Sequence, residues 1–253
     1  MFISKITLIF LVFVASSVNA EVKKQKKEID PKADKILHQM TDYVASLNDF
    51  SVDNSIIDEI VTKDGQKLQM AADLKVLIHR PDKMRSEKIS SSSDGKGNML
   101  FVDDGKVMTL FCKSNNTYAT VKSPSNLDTT IEEIRTKHNI DAPGADLLFS
   151  KSYDVLTEQV RSGQYIGKET INGILAHHLA FKGEEVDWQI WIQDGNEPLP
   201  LRYVITTKTV KNHPQFTLNL SNWRSMEKTD TDDFKFVPPT GAKKVSNFPS
   251  TCL

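Results

Sequence analysis

The chain has 253 residues, a formal net charge of −1 and a charged fraction of 26%. This near-neutral balance excludes a protein that binds nucleic acid through a strongly basic face. The length fits one large β domain or two small ones, and no linker rich in glycine, serine or proline requires a division.

The first twenty residues have the order of parts of a cleavable signal peptide. Lys5 precedes a short apolar run from Ile6 to Ala15, and the small residues Val18 and Ala20 follow. The run has about ten residues, whereas a helix needs about 20 to cross a bilayer. We predict cleavage after Ala20 and a location in the periplasm. No cysteine lies near that point, so we expect no lipid attachment and no permanent membrane anchor.

Residues 21–29 form a charged run, which we expect to be disordered. A helix is predicted to begin next, because Asp30 is a suitable N-cap and Pro31 suits the first helical position. Apolar residues then recur at helical spacing and form one buried stripe. They are Ala33, Ile36, Leu37, Met40, Val44 and Leu47. The helix is predicted to end near Asn48.

From Phe50 onward the apolar period changes from helical spacing to two. Alternation is clearest over residues 68–79, 186–193 and 216–221, and it predicts strands with one apolar face. Asp-Gly or Asn-Gly pairs at 64–65, 104–105, 172–173 and 194–195 are typical of tight hairpin turns. The pattern therefore predicts an antiparallel meander of ten or eleven strands. Long strands in such a sheet twist and curl, leaving a concave apolar face.

Residues 125–160 interrupt the strands with apolar residues at helical spacing, broken at Pro143 and Gly144. We predict two or three short inserted helices. Together with the first helix, they are available to cover the concave face. The expected fold class is mainly β (α+β), as a single domain over residues 30–250.

Four features, in this order, resemble the LolA/LolB family of bacterial lipoprotein carriers. They are Leu47-Asn48-Asp49-Phe50 after the first helix, Arg80-Pro81, Asp104-Gly105-Lys106, and the Phe234 to Gly241 segment. Residues 176–206 depart from the carriers. There the chain is more similar to a related family of predicted periplasmic proteins with no assigned activity.

The resemblance implies an unclosed half-barrel with a helical lid over an apolar cavity that reversibly shields acyl chains. It also implies that Arg80 is a lid latch, donating hydrogen bonds to the lid backbone. The expected partners are lipid or lipoprotein acyl chains. Neither a catalytic residue nor a cofactor nor a metal is expected. The residues expected to line the cavity are Leu68, Met70, Leu74, Val76, Ile78, Trp188, Ile190, Ile192, Phe216, Leu218 and Leu220.

Several alternatives stay open from the sequence. The same fold is compatible with an interaction or envelope-stress sensor module, in which Trp191 on the polar strand face and the inserted helices form the surface for an envelope protein partner. His177 and His178 are residue types that a metal-dependent enzyme would use. However, neighbours on a strand point to opposite faces, and no zinc-motif spacing is present. Trp188 fits core packing as well as cavity lining. Cys112 and Cys252 are either bridged or free thiols.

Overall fold

The computed structural model describes residues 27–140, 142–226 and 229–248. The predicted signal peptide, its cleavage point after Ala20, and Cys252 lie outside these residues. Cys112 is fully buried at the end of a strand. The bridge between the two cysteines therefore stays a prediction.

One large sheet of thirteen strands dominates the part of the chain that the structure describes. The spatial order is β1-β8-β9-β10-β11-β12-β2-β3-β4-β5-β6-β7-β13. Neighbours pair antiparallel except at the two ends, where β1 and β13 pair parallel. The strands are β1 Glu28–Ile29, β2 Asp49–Val61, β3 Lys67–His79, β4 Lys83–Ser90, β5 Met99–Asp104, β6 Val107–Cys112, β7 Thr117–Lys122, β8 Val160–Ile171, β9 Ile174–Gly183, β10 Val186–Gln193, β11 Pro200–Thr207, β12 Gln215–Ser225 and β13 Lys243–Lys244.

The predicted meander is confirmed, and each predicted turn joins two neighbouring strands. Leaving aside the two-residue strands at the ends, the described sheet contains the eleven strands that the upper estimate gave. β12 pairs with β2, so the two halves of the meander meet in the middle of the sheet. The sheet does not close, which agrees with the predicted half-barrel.

The helices lie where the sequence places them. α1 spans Pro31–Ser46, and the Asp30 carboxylate accepts hydrogen bonds from the backbone N–H groups of Lys32 and Ala33. The inserted region contains α2, Leu127–Thr136, a 3₁₀ turn, Ala145–Leu148, and α3, Ser152–Thr157. We call α1 and the described residues 127–140 and 142–157 the lid.

The lid packs on one face of the sheet, and both contribute to a single apolar core. The pairing register of the strands shows which side chains face the lid. On β2 these are Phe50, Val52 and Ile56. Their partners on β3 are, in the same order, Ile78, Val76 and Ala72. The intervening residues point to the convex side.

The expectation of disorder through residue 29 is wrong for Glu28 and Ile29. They form β1 beside β8, and the Asp30 N–H donates to the Gly163 carbonyl at 2.9 Å. Ile29 also packs against the core. Burial of Ile29 and pairing with the β8 edge therefore order this end of the charged run.

The C-terminal segment, residues 229–248, crosses the convex face of β4–β7 from Thr229 to Ala242, with a 3₁₀ turn at Thr231–Phe234. It then pairs with the β7 edge, and Phe248 joins the core on the lid side. The Thr229 hydroxyl donates to Asp49 at 2.5 Å, and His79 pairs with the same carboxylate at 2.7 Å. Although burial acts in the opposite direction, the hydrogen bonds from His79 and Thr229 lower the pKa of Asp49. Phe236 then packs on Phe111 and Tyr118. The convex face is therefore covered at this end of the sheet.

The helices within the described residues are all too short or too polar to cross a bilayer.

Phe234 anchors the C-terminal segment, because its side chain is fully buried. We expect Phe234→Ala to lower the free energy of unfolding by about 3–5 kcal/mol. The measurement is urea denaturation followed by tryptophan fluorescence. Val237, which is 79% exposed in the same segment, supplies the control. Val237→Ala should change stability by less than about 0.5 kcal/mol. Equal effects of the two changes would contradict the anchoring role.

Candidate functional site

The candidate site is the concave face beneath the lid. Most of the predicted lining lies in the buried core: Val76, Ile78, Trp188, Ile190, Ile192, Leu218 and Leu220. Leu74 and Phe216 are half-buried and pack against that core. The strand alternation therefore places these side chains on the face that the lid covers.

Leu68 and Met70 share this face but lie beyond the lid. Their exposed fractions are 38% and 49%. β3 continues past the covered region, because its register with β2 extends to Ile60 and Val61. The lid therefore leaves both residues uncovered in this arrangement, and their place in a ligand cavity stays a prediction.

Apolar side chains of the lid fill the covered part of the concave face. α1 contributes Ile36, Leu37 and Met40, and α2 contributes Leu127 and Ile131, all buried in the core. Trp188 stacks on Phe181 with ring centroids 4.0 Å apart and meets Tyr203 edge-on at 5.7 Å. Trp188 therefore packs in the core between the sheet and the lid, as the packing alternative expected.

Arg80 joins the sheet to two parts of the lid. Its Nε donates to the Leu47 carbonyl at 3.1 Å, and its Nη2 donates to the Leu148 carbonyl at 2.9 Å. Burial lowers the pKa of the guanidinium, with Asp128 acting in the opposite direction. Arginine stays charged in proteins, so both bonds are charge-assisted. This geometry is the one that a latch between the sheet and the lid needs.

Asp103 makes a second polar contact between sheet and lid. Its carboxylate is buried on the concave face and accepts hydrogen bonds from the hydroxyls of Ser123 and Thr130, at 2.8 and 2.9 Å. Burial raises the pKa of Asp103, and these hydrogen bonds only partly offset it. Nearby, the Leu127 N–H donates to the Pro81 carbonyl at 2.8 Å. Sequence reasoning missed this contact, because nothing local marks Asp103 as buried.

Further contacts hold the parts of the lid together. The Tyr153 hydroxyl donates to Asp34 at 2.5 Å, and its ring stacks on His38 at 3.5 Å, joining α3 to α1. Asp128 at the start of α2 accepts from the N–H of Ser150 at 2.9 Å. The lid therefore has its own internal hydrogen bonds and stacked rings.

His177 and His178 point to opposite faces, as strand geometry requires. His177 contacts Tyr165 at 3.2 Å and Asp194 at 2.9 Å. His178 contacts Glu169 at 2.9 Å and Gln189 at 3.0 Å. The two imidazoles thus take part in separate hydrogen-bonded groups. Across residues 27–140, 142–226 and 229–248, no three potential metal ligands come together in a suitable group.

Trp191 lies on the convex face but is only 7% exposed. Its ring stacks on His178, with the ring centroids 4.0 Å apart. The guanidinium of Arg202, on β11, lies 5.6 Å from the centroid of the Trp191 ring. The indole N–H donates to Glu169 at 2.9 Å. Neighbouring side chains therefore cover Trp191, so it does not form an exposed aromatic patch.

Residues 33–247 match a protein family described as "Predicted periplasmic protein (DUF2092)". This chain belongs to that family. The match covers the lid and nearly all of the sheet, so the resemblance predicted from residues 176–206 is confirmed. The family description also agrees with the periplasmic location expected from the N-terminal residues.

The chain also has similarities to solved structures. LprF from Mycobacterium bovis is 16% identical over 84% of this chain and 98% of that one, with a TM-score of 0.49. Lipoprotein LppX from Mycobacterium tuberculosis is 15% identical over 79% and 100%, with a TM-score of 0.49. A LolA superfamily protein from Nitrosomonas europaea is 13% identical over 81% and 97%, with a TM-score of 0.38. No curated protein matches the chain.

The hydrogen bonds of Arg80 generate a prediction about lid stability. Arg80→Leu removes both charge-assisted bonds, and we expect the free energy of unfolding to fall by about 2–4 kcal/mol. Hydrogen exchange at Leu47 and Ala145–Leu148 should accelerate, and binding of an apolar naphthylamine dye should change. Arg85→Leu is the matched control, because Arg85 donates to the Asp233 carbonyl at 3.3 Å and not to the lid. Unchanged exchange in the lid of Arg80→Leu would refute the latch.

Asp103 generates a prediction about pH. Because its folded-state pKa is raised, its stabilising effect is complete below the unfolded value of about 3.9 and is lost as pH rises through the folded value. An asparagine side chain does not ionise, so Asp103→Asn should not lose stability in this way as pH rises. The unfolding free energy of the wild type minus that of the variant should therefore fall as pH rises above about 3.9 and through the raised pKa of Asp103. Urea titrations at several pH values measure it. A difference that rises with pH would show that the hydrogen bonds outweigh burial.

Proposed function

We propose that this protein binds acyl chains of a lipid or lipoprotein between the concave face and the lid, and carries them through the periplasm. The observation that carries the proposal is the apolar contact between sheet and lid, fastened at one end by Arg80 and Asp103. The export signal, with cleavage after Ala20, would deliver the chain to that compartment. The family description supports the compartment.

The physical basis is an exchange of apolar contacts. Moving the lid away would expose the apolar side chains of the sheet and those of the lid, which is costly in water. An acyl chain that takes their place recovers about 0.8 kcal/mol for each methylene group that leaves water. The exchange needs an apolar surface and a movable cover, and it needs no catalytic group. The closed structure would then be the state without cargo.

A contact quencher tests the proposed site directly. Trp188 lies on the concave side and Trp191, on the same strand, lies on the convex side. A brominated fatty acid bound under the lid should quench the fluorescence of Trp188. Trp223 also packs against this core, stacked on Phe50, so both variants are made with Trp223 replaced by Phe. Quenching should then be largely lost in Trp188→Phe and retained in Trp191→Phe, which is the matched control.

The same preparation tests export and cargo. Protein expressed with its leader and released gently from the periplasm should begin at Glu21 by mass spectrometry. Its extract should contain acyl lipids. If the extract is empty and the purified protein neither binds a naphthylamine dye nor shows quenching by brominated chains, the carrier proposal is wrong.

A further inference from the structure

The concave face extends beyond the edge of the lid, and the change in burial is abrupt. Leu218, Ile56 and Ala72 lie side by side on β12, β2 and β3, and all three are buried. One position further along the same face, Met70 is 49% exposed. Leu68 and the half-buried Ile60, which lie opposite each other, come next. We call Ile60, Leu68 and Met70 the apolar strip.

The lid edge at this boundary is the turn at Gly144. Its φ of 86° is a conformation that glycine adopts readily. A Cβ added there would lie 2.7 Å from Cδ2 of Leu218, so the lid backbone touches the last buried row of the sheet. Arg135 holds the turn from within the lid, donating to the Ala142 carbonyl at 2.8 Å and pairing with Asp146 at 2.7 Å.

Polar contacts between the lid and strands β2–β5 lie at the other end of those strands. Arg80 follows β3, and Asp103 lies near the end of β5 opposite Met84, beside the same sheet end. Within the described residues, no hydrogen bond joins the Ala142–Ala145 turn to the sheet. Of the hydrogen bonds between described residues, none to the sheet would break if Gly144 separated from Leu218.

The two faces of the hairpin that carries the strip differ. On its convex face Lys67 pairs with Glu59 at 2.9 Å. On its concave face Leu68 and Met70 lie in register with the core, with Asp58 beside Met70 as a polar border. Single exposed apolar side chains are common and need no explanation. A row of them that continues a buried apolar face does call for one.

We infer that acyl chains enter and leave the covered face over the apolar strip, by passing between Leu218 and the Gly144 turn. The inference rests on the proposed function and adds a route to it. The occupant is an acyl chain because the strip runs directly into the apolar surface where the chain would finally lie. Ile60, Leu68 and Met70 supply contact to the chain before the lid has moved.

Rates distinguish a route from a binding site. Leu68→Gln and Met70→Gln change exposed positions, so folding should be preserved, and thermal unfolding checks this. The probe is cis-parinaric acid in stopped-flow fluorescence. If chains pass over the strip, the double variant should slow both association and dissociation by about tenfold. Its equilibrium affinity should change little, because entry and exit share the route.

Ile89→Gln is the matched control. Ile89 is 45% exposed on β4, and its pairing with Asp73 places it on the convex face. Its rates should equal those of the wild type. Unchanged rates in the double variant, with binding intact in the wild type, would overturn the route and leave the carrier proposal standing. No binding by the wild type would overturn both.

Two other results would also overturn the entry route. A variant that only dissociates faster, with an unchanged association rate, would make the strip part of the final binding site. A wild type that is dimeric by sedimentation and becomes monomeric in the double variant would make the strip an interface between two copies of the chain.

Discussion

The rest of the structure depends on one constraint, the apolar inner face of a sheet that does not close. A closed barrel fills its interior with its own strands, whereas a curled open sheet must obtain its cover from elsewhere in the chain. Here α1 lies between the short strand β1 and the long strand β2 in the chain, and the rest of the lid is inserted between β7 and β8. The free edges pose the related problem of unpaired backbone groups. β1 covers part of one edge, and β13 covers part of the other.

Packing and polar contacts do different work in holding the lid. Apolar burial supplies most of the attraction but is non-directional, so it fixes the lid's position only loosely. Arg80 and Asp103 are costly to bury without partners, and their partners are particular atoms of Leu47, Leu148 and Thr130. These bonds define where the lid sits. A guest chain can replace the apolar contacts, but it cannot replace these bonds.

Local chemistry explains why much of the fold could be predicted from the sequence. Asp30 and Pro31 define the start of α1, and Asp-Gly and Asn-Gly pairs define the turns, because each acts within a few residues. Period-two alternation correctly assigned Ile78, Trp188, Ile190 and Leu218 to the covered face. Arg80 was identified from the family resemblance alone, since nothing in its neighbours shows that a distant carbonyl, that of Leu148, lies within reach.

Contacts between distant segments could not be predicted. Ile29 looked like part of a charged run, because its partner Gly163 lies far along the chain. Nothing near Phe234 or Phe236 shows that residues 229–242 cover the convex face of β4–β7. Period-two alternation assigns Trp191 to the polar face. Only the register with His178 and Arg202 shows that its ring is covered. Alternation assigns a side chain to a face, whereas burial depends on what reaches that face.

Strand β3 shows within a single element that the face of a side chain does not determine its burial. Ile78, Val76, Ala72 and Met70 alternate identically in sequence, yet the first three are buried and Met70 is not. The difference arises because the strand is longer than the lid that covers it. A shorter β2–β3 hairpin would remove the exposed apolar surface at no cost to the packed core. In a purely structural sheet that surface favours aggregation. Its position beside the Ala142–Ala145 turn, which within the described residues makes no hydrogen bond to the sheet, favours a role in exchanging cargo instead.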